Sequence, residues 1–177
     1  MSSRHCFAVL VDNEPGVLAR VIGLFSGRGY NIESLTVDEI DRAMHLSRIT
    51  IVTTGTPMVI SQIKAQLGRL VPVRQVINLT EEGPFVEGSL AFIKITGGPE
   101  KREEAILIAR KYGARIANTT GDAVIFEITS GFDKIDRMIE QLGDLGRIEI
   151  ARTGSVAMAC SEAILDVPAS DAEFKRA

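Results

Sequence analysis

The 177-residue sequence has only two histidines and two cysteines, and apart from the neighbours His5 and Cys6 they are scattered. A zinc knuckle or a dithiol pair needs ligands at short, repeated spacing, and Cys6 and Cys160 stand far apart. Cys6 falls inside an apolar strand pattern, and both thiols read as inert core positions. His5 opens a strand and His45 sits at the mouth of a hairpin, places normal for surface or edge histidines and not for a general base. With no nucleophile beside a base and no metal spacing, the residues offer no catalytic constellation. Glu81-Glu82 and Glu103-Glu104 read as solvated charge in a linker and on the polar side of a helix. Gly97-Gly98-Pro99 lacks the rest of a Walker loop or of a GxGxxG fingerprint, and reads as a strand-to-helix turn.

Charge of one sign is also missing. Twenty Lys and Arg against 23 Asp and Glu leave a net charge of −3, which gives no long-range attraction for phosphate backbones or anionic lipid. There is no run of ~18 apolar residues to span a bilayer, and Met1-Ser2-Ser3-Arg4 leads into no signal-peptide core. The expectation is a cytoplasmic protein with neither a membrane nor a nucleic-acid partner. Phe7, Phe92 and Phe126 lie among aliphatics on the inner strands. The exposed aromatics and surrounding basic residues of an RNA-recognition domain are absent.

What is present is a 45% hydrophobic chain with an internal repeat. His5 to Val11 reads as a strand, and Asp12-Asn13-Glu14-Pro15-Gly16 carries cap-type residues and a proline suited to a first helical turn. Leu18, Val21, Ile22 and Phe25 then recur at helical spacing up to Gly27-Arg28-Gly29. Asn31 to Val37 and Leu46 to Thr53 read as a hairpin. Ile60, Ile63, Leu67 and Leu70 mark a second helix, and Val73 to Leu79 a closing strand. After the turn-rich stretch Thr80 to Gly88 the order begins again. The helix faces are Ala105, Ile108, Ala109 and Tyr112, then Ile135, Met138, Ile139 and Leu142 behind a capping box at Ser130 to Asp133. Strands are expected at Ala91–Ile95, Ala114–Thr119, Ala123–Thr129 and Arg147–Val156.

The spacings support a duplication. Pro15 to Pro99 and Gly29 to Gly113 are both 84 residues, whereas Gly55 to Gly131 is 76. The eight-residue difference falls in the first hairpin, where Asp38 to Met44 has no counterpart in the second half and reads as a longer hairpin loop. The fold class is therefore α+β, two tandem ferredoxin-like βαββαβ domains. The expected divisions are a first domain at 1–80, a linker at 81–88, a second domain at 89–160 and a polar tail at 161–177. Helices on one side of each sheet leave the other side uncovered, so pairing with a second copy, a homodimer, is expected.

The informative loop is Asp12 to Leu18, joining a strand to a helix N-terminus whose free N–H groups can receive a carboxylate. The helix dipole contributes only ~0.3–1 kcal/mol there, up to ~2 when partly buried, so further contacts are needed. Asn13 offers a polar side chain, and burying a small aliphatic group would add ~1.5–3 kcal/mol. On physical grounds alone, helix capping is the stronger reading of the loop.

A resemblance reverses that order. Asn13-Glu14-Pro15-Gly16-Val17-Leu18, Arg20 to Phe25, Arg28-Gly29-Tyr30-Asn31-Ile32-Glu33-Ser34-Leu35-Thr36-Val37 and Leu46-Ser47-Arg48 closely resemble the small regulatory subunit of acetohydroxyacid (acetolactate) synthase, with an N-terminal ACT domain. The second half agrees mainly in length and order. The resemblance implies a non-catalytic chain with no cofactor of its own. Its partner would be the catalytic large subunit, which holds thiamine diphosphate, FAD and magnesium, and it would confer feedback inhibition by a branched-chain amino acid, typically valine. It also implies an effector site between paired ACT domains, with Asn13, Gly16, Val17 and Leu18 of one protomer facing Asn31 and Ile32 of the other. Pro15 departs from the small polar residue common at that place, and the composition of the 38–44 segment is this chain's own. The alternative is a tandem-ACT amino-acid sensor of another pathway.

Overall fold

The computed structural model describes residues 1–162 and 165. Ser3–Asp12 forms β1, whose last eight residues are all buried. Phe7, Val9 and Val11 point to one face of the strand and Cys6 and Ala8 to the other, and each set lies in a separate apolar cluster. The helix α1, Val17–Arg28, ends at Gly29, which takes φ 67 while the N–H groups of Gly29 and Tyr30 return to the carbonyls of Ser26 and Phe25. Glycine makes that left-handed cap without a Cβ penalty. β2, Ser34–Asp41, and β3, Leu46–Gly55, form an antiparallel hairpin. α2, Pro57–Leu67, starts at Thr56, whose hydroxyl accepts from the Val59 N–H. β4, Val73–Asn78, completes a sheet of order β2-β3-β1-β4. Val21, Phe25, Ile60, Ile63 and Leu67 of the helices meet Phe7, Val9, Ile49 and Ile51 of the sheet, each burial stabilising the fold by ~1.5–3 kcal/mol.

A four-residue helix α3, Leu79–Glu82, leads to β5, Phe85–Thr96. Next come α4, Pro99–Tyr112, β6, Arg115–Thr120, β7, Ala123–Ser130, α5, Phe132–Leu145, and β8, Ile148–Arg152. Their sheet order, β6-β7-β5-β8, repeats that of the first half. The core again lies on one side: Ala91, Ile93, Ile95, Val124 and Phe126 against Ala105, Ala109, Ile135, Met138 and Leu142. The fold is thus the expected pair of βαββαβ domains. Among the described residues no helix is long and apolar enough to cross a membrane.

Several boundaries differ from the expectation. β2 begins at Ser34, not Asn31, and runs through Asp41, so residues 38–41 of the expected loop extend the ladder. Asp38 pairs with Arg48, Glu39 with Ser47 and Asp41 with Leu46, and the turn is confined to residues 42–45, where His45 takes φ 50. This charged segment is exposed on an edge strand, where solvated side chains are tolerated and discourage further pairing. The stretch 81–88 is not a free linker either. Leu79 of α3 is buried against Cys6, Ala8 and Val52, and the Pro84 carbonyl accepts from the Cys160 N–H.

The strand expected at Arg147–Val156 is split into β8 and a short β9, Val156–Ala159, which pairs with β5. The described residues accordingly form two units, Met1–Val86 with those from Ser155 on, and Glu87–Gly154, where divisions at 80, 88 and 160 were expected. Side chains of the first unit hold the returning segment. The Ser155 N–H donates to Ser34 Oγ and Thr36 Oγ1 donates to the Ser155 carbonyl, both at 2.7 Å, and Arg48 donates to the Ala157 carbonyl. Burial lowers the Arg48 guanidinium from its ordinary value, with the neighbouring Cys6 acting the other way. Ala157 completes the cluster around Cys6 and Ala8, so the face expected to lie uncovered is partly covered in the first unit by the chain itself. In the second unit Phe92, on the side of β5 away from the core, remains 39% exposed.

Three smaller readings also change. His5 is buried, with its ring between Ser3 Oγ and the Asn78 amide. Cys160 is exposed, not a core thiol. α5 is entered from Gly131 with no side-chain cap, so Ser130 to Asp133 is not a capping box. Apart from Ser161, Glu162 and Leu165, the tail expected at 161–177 lies outside the described residues.

Candidate functional site

The end of β1 is anchored before it enters the loop. Asp12 is 8% exposed, its N–H donates to the Pro72 carbonyl at 2.8 Å, and its carboxylate accepts from Arg74 Nε at 3.0 Å. A charge this buried requires such a partner. The next residue, Asn13, is tied to the β2–β3 turn through its N–H to the His45 carbonyl, and its side-chain Nδ2 donates to Glu39 Oε1 at 3.0 Å. Glu14 and Val17 close a local turn, the Val17 N–H reaching the Glu14 carbonyl at 3.2 Å.

α1 then begins at Gly16, in the left-handed conformation at φ 84. No side chain caps the helix and no acid sits in its first turn. Its first helical hydrogen bond is from the Arg20 N–H to the Gly16 carbonyl, and among the described residues no partner accepts from the N–H groups of Gly16, Leu18 or Ala19. A Cβ added at Gly16 would meet nothing within 4 Å, so there is open space beside the helix start, where unpaired donors and the positive end of the helix dipole gather. The loop therefore contains cap-type residues that do not cap: Asn13 turns its amide to Glu39 and leaves the helix start bare. Such a helix start can receive a carboxylate. Beside it, Val17 is buried in the core cluster and Leu18 is partly buried against it.

Asn31 and Ile32 lie at the other end of α1, beyond Gly29. Ile32 precedes β2 instead of belonging to it and packs partly buried on the core. The Asn31 side chain is exposed, while its carbonyl accepts from the buried Thr53 Oγ1 at 2.6 Å. The intervening helix of 12 residues is about 18 Å long at ~1.5 Å per residue. One chain therefore brings Asn13, Gly16, Val17 and Leu18 together and holds Asn31 and Ile32 apart from them. Sequence reading did not single out Glu39 and Arg74 as parts of this loop's support, and it took Asp12 as a cap-type residue where the structure makes it the partner of Arg74. The only hint was the extra length at 38–44. Among the described residues no group of three or more His, Cys, Asp or Glu side chains is placed to hold a metal ion.

Both halves of the chain match families of known proteins. Residues 7–75 match the model of the AHAS small subunit-like ACT domain, and residues 89–161 match that of the small subunit of acetolactate synthase. A probable acetolactate synthase small subunit of Archaeoglobus fulgidus is 44% identical over 88% of this chain and 96% of its own length. The isozyme 3 small subunit of Escherichia coli is 37% identical over 92% of this chain and 99% of its own. The crystal structure of the acetolactate synthase small subunit of Thermotoga maritima superimposes with a TM-score of 0.80 at 35% identity, covering 91% of this chain and 99% of that one. The chain belongs to the family of acetolactate synthase small subunits.

Proposed function

We propose that the chain is the regulatory subunit of an acetohydroxyacid (acetolactate) synthase. It binds and activates the catalytic large subunit and makes it sensitive to feedback inhibition by a branched-chain amino acid, valine foremost. Thiamine diphosphate, FAD and magnesium belong to the catalytic partner in this reading, and the small subunit acts as a cytoplasmic homodimer. The observation that carries the proposal is the uncapped start of α1, where three backbone N–H groups have no partner among the described residues and the Asn13 side chain bonds Glu39 instead. A free amino acid supplies the missing carboxylate.

The two halves of the site sit about 18 Å apart along α1 in one chain, so a complete site requires a second copy. An isologous dimer then makes two equivalent sites, each with Asn13 to Leu18 of one protomer and Asn31-Ile32 of the other. An amino acid bridging two protomers favours whichever arrangement of the dimer closes the site, and a coupling of ~1–3 kcal/mol suffices to switch the bound enzyme. The relatives speak for the synthase over a sensor of another pathway.

The test combines calorimetric titration of the chain with valine, leucine and isoleucine and acetolactate formation by the large subunit, with and without this chain. The expected result is saturable amino-acid binding and a rise in activity that valine reverses. Activation without any amino-acid response would remove the sensing role, and absence of both would remove the proposal.

A further inference from the structure

We propose that Glu39 orients Asn13 so that the site accepts an amino acid and rejects the 2-oxo acid of the same carbon skeleton; this rests on the effector site described under Proposed function. Glu39 lies in the part of the β2–β3 hairpin that the second half of the chain lacks. Glu39 pairs with Ser47, and Ser47 with Val11, so three adjacent strands bring Glu39 beside the exit of β1. A register shift between Glu39 and Asp41 bends the strand end, a feature that commonly re-aims a side chain. The outcome is the bond from Asn13 Nδ2 to Glu39 Oε1 at 3.0 Å.

The chemistry of that bond fixes the direction of the amide. An ionised carboxylate only accepts, so Asn13 must give Glu39 its NH2 group and keep its carbonyl oxygen for whatever enters the site. Arg42, 3.7 Å from Glu39 Oε2 and almost fully exposed, leaves Oε1 with Asn13. The helix start donates and Asn13 Oδ1 accepts. That pair of demands is met by an α-amino acid, its carboxylate on the N–H groups and its ammonium on Asn13. A 2-oxo acid has the same carboxylate and side chain but presents a carbonyl oxygen to Asn13 Oδ1, and leaving a polar group unpaired in this way discriminates strongly.

The experiment is calorimetric titration of the full chain with valine and with its 2-oxo counterpart, for the wild type, Glu39→Ala and Glu39→Gln. The wild type is expected to prefer valine by at least about tenfold, the cost of an unmade hydrogen bond. Glu39→Ala frees the Asn13 amide to rotate, and the preference should fall by roughly tenfold with the unfolding midpoint unchanged. Glu39→Gln keeps a carbonyl acceptor for Asn13 and should restore most of the preference. An unchanged ratio in Glu39→Ala, or a Gln variant as poor as Ala, would overturn the orienting role while leaving the effector site standing. A wild type that binds neither compound would overturn both.

Discussion

Gly16 and Asn31 differ in what they do for the fold, and the difference can be measured. Gly16 sits at φ 84 with empty space where a side chain would project. Gly16→Asp therefore costs about 1–2 kcal/mol of stability for the left-handed backbone. It also places a carboxylate at the helix start, so amino-acid affinity falls by at least about tenfold as the dipole contact is turned against the ligand. Asn31 has an exposed side chain, so Asn31→Ala should leave stability within about 0.5 kcal/mol while weakening binding roughly tenfold through one lost hydrogen bond. Urea unfolding and calorimetric titration read the two quantities separately. Thr53 supports Asn31 from beneath through its bond to the carbonyl, and Thr53→Val should lower stability by about 1 kcal/mol and loosen the effector as well.

At the scale of elements, α1 was legible because its signals are local: Pro15-Gly16 at one end, Gly29 at the other, apolar residues at helical spacing between them. Both glycines do take positive φ. The extended hairpin was half legible. Counting residues located the insertion, but the pairing of Asp38 and Glu39 with β3 depends on partners that no local pattern announces. β9 was not legible at all. Ile148, Ile150 and Val156 fall on alternate positions as in one strand, while the groups that hold Ser155 lie on Ser34 and Thr36, 121 and 119 residues away. The same distance hides the Asn13 to Glu39 bond, 26 residues apart. β9 can be tested as an element of the first unit. Ala157 is buried against Cys6, Ala8 and Val52, so Ala157→Asp should destabilise by about 2–4 kcal/mol through an unpaired buried charge, measured by urea unfolding. A loss below about 0.5 kcal/mol, the range of ordinary surface changes, would mean that β9 is peripheral to that core.

For the whole molecule, the account depends on two copies. The fold alone is shared by proteins of unrelated activity, and function has to be argued from the site. Here one chain presents the two halves of the proposed site at opposite ends of α1. The family was legible because the ACT motifs cluster in the first half, and that resemblance already implied a site shared between protomers. What no residue pattern gave was the separation of its proposed halves by the length of α1. If the site is shared, its defects must complement between subunits. Asn13→Ala and Asn31→Ala damage different halves, so a mixed dimer retains one intact site and gathers both defects in the other. The most direct measurement is titration with valine of each variant alone and of an equimolar mixture after subunit exchange. The account predicts weak binding by each variant and recovery of wild-type affinity in about a quarter of the sites of the mixture, the statistical yield for a twofold dimer. A mixture that binds no better than the separate variants would contradict a site built from two protomers.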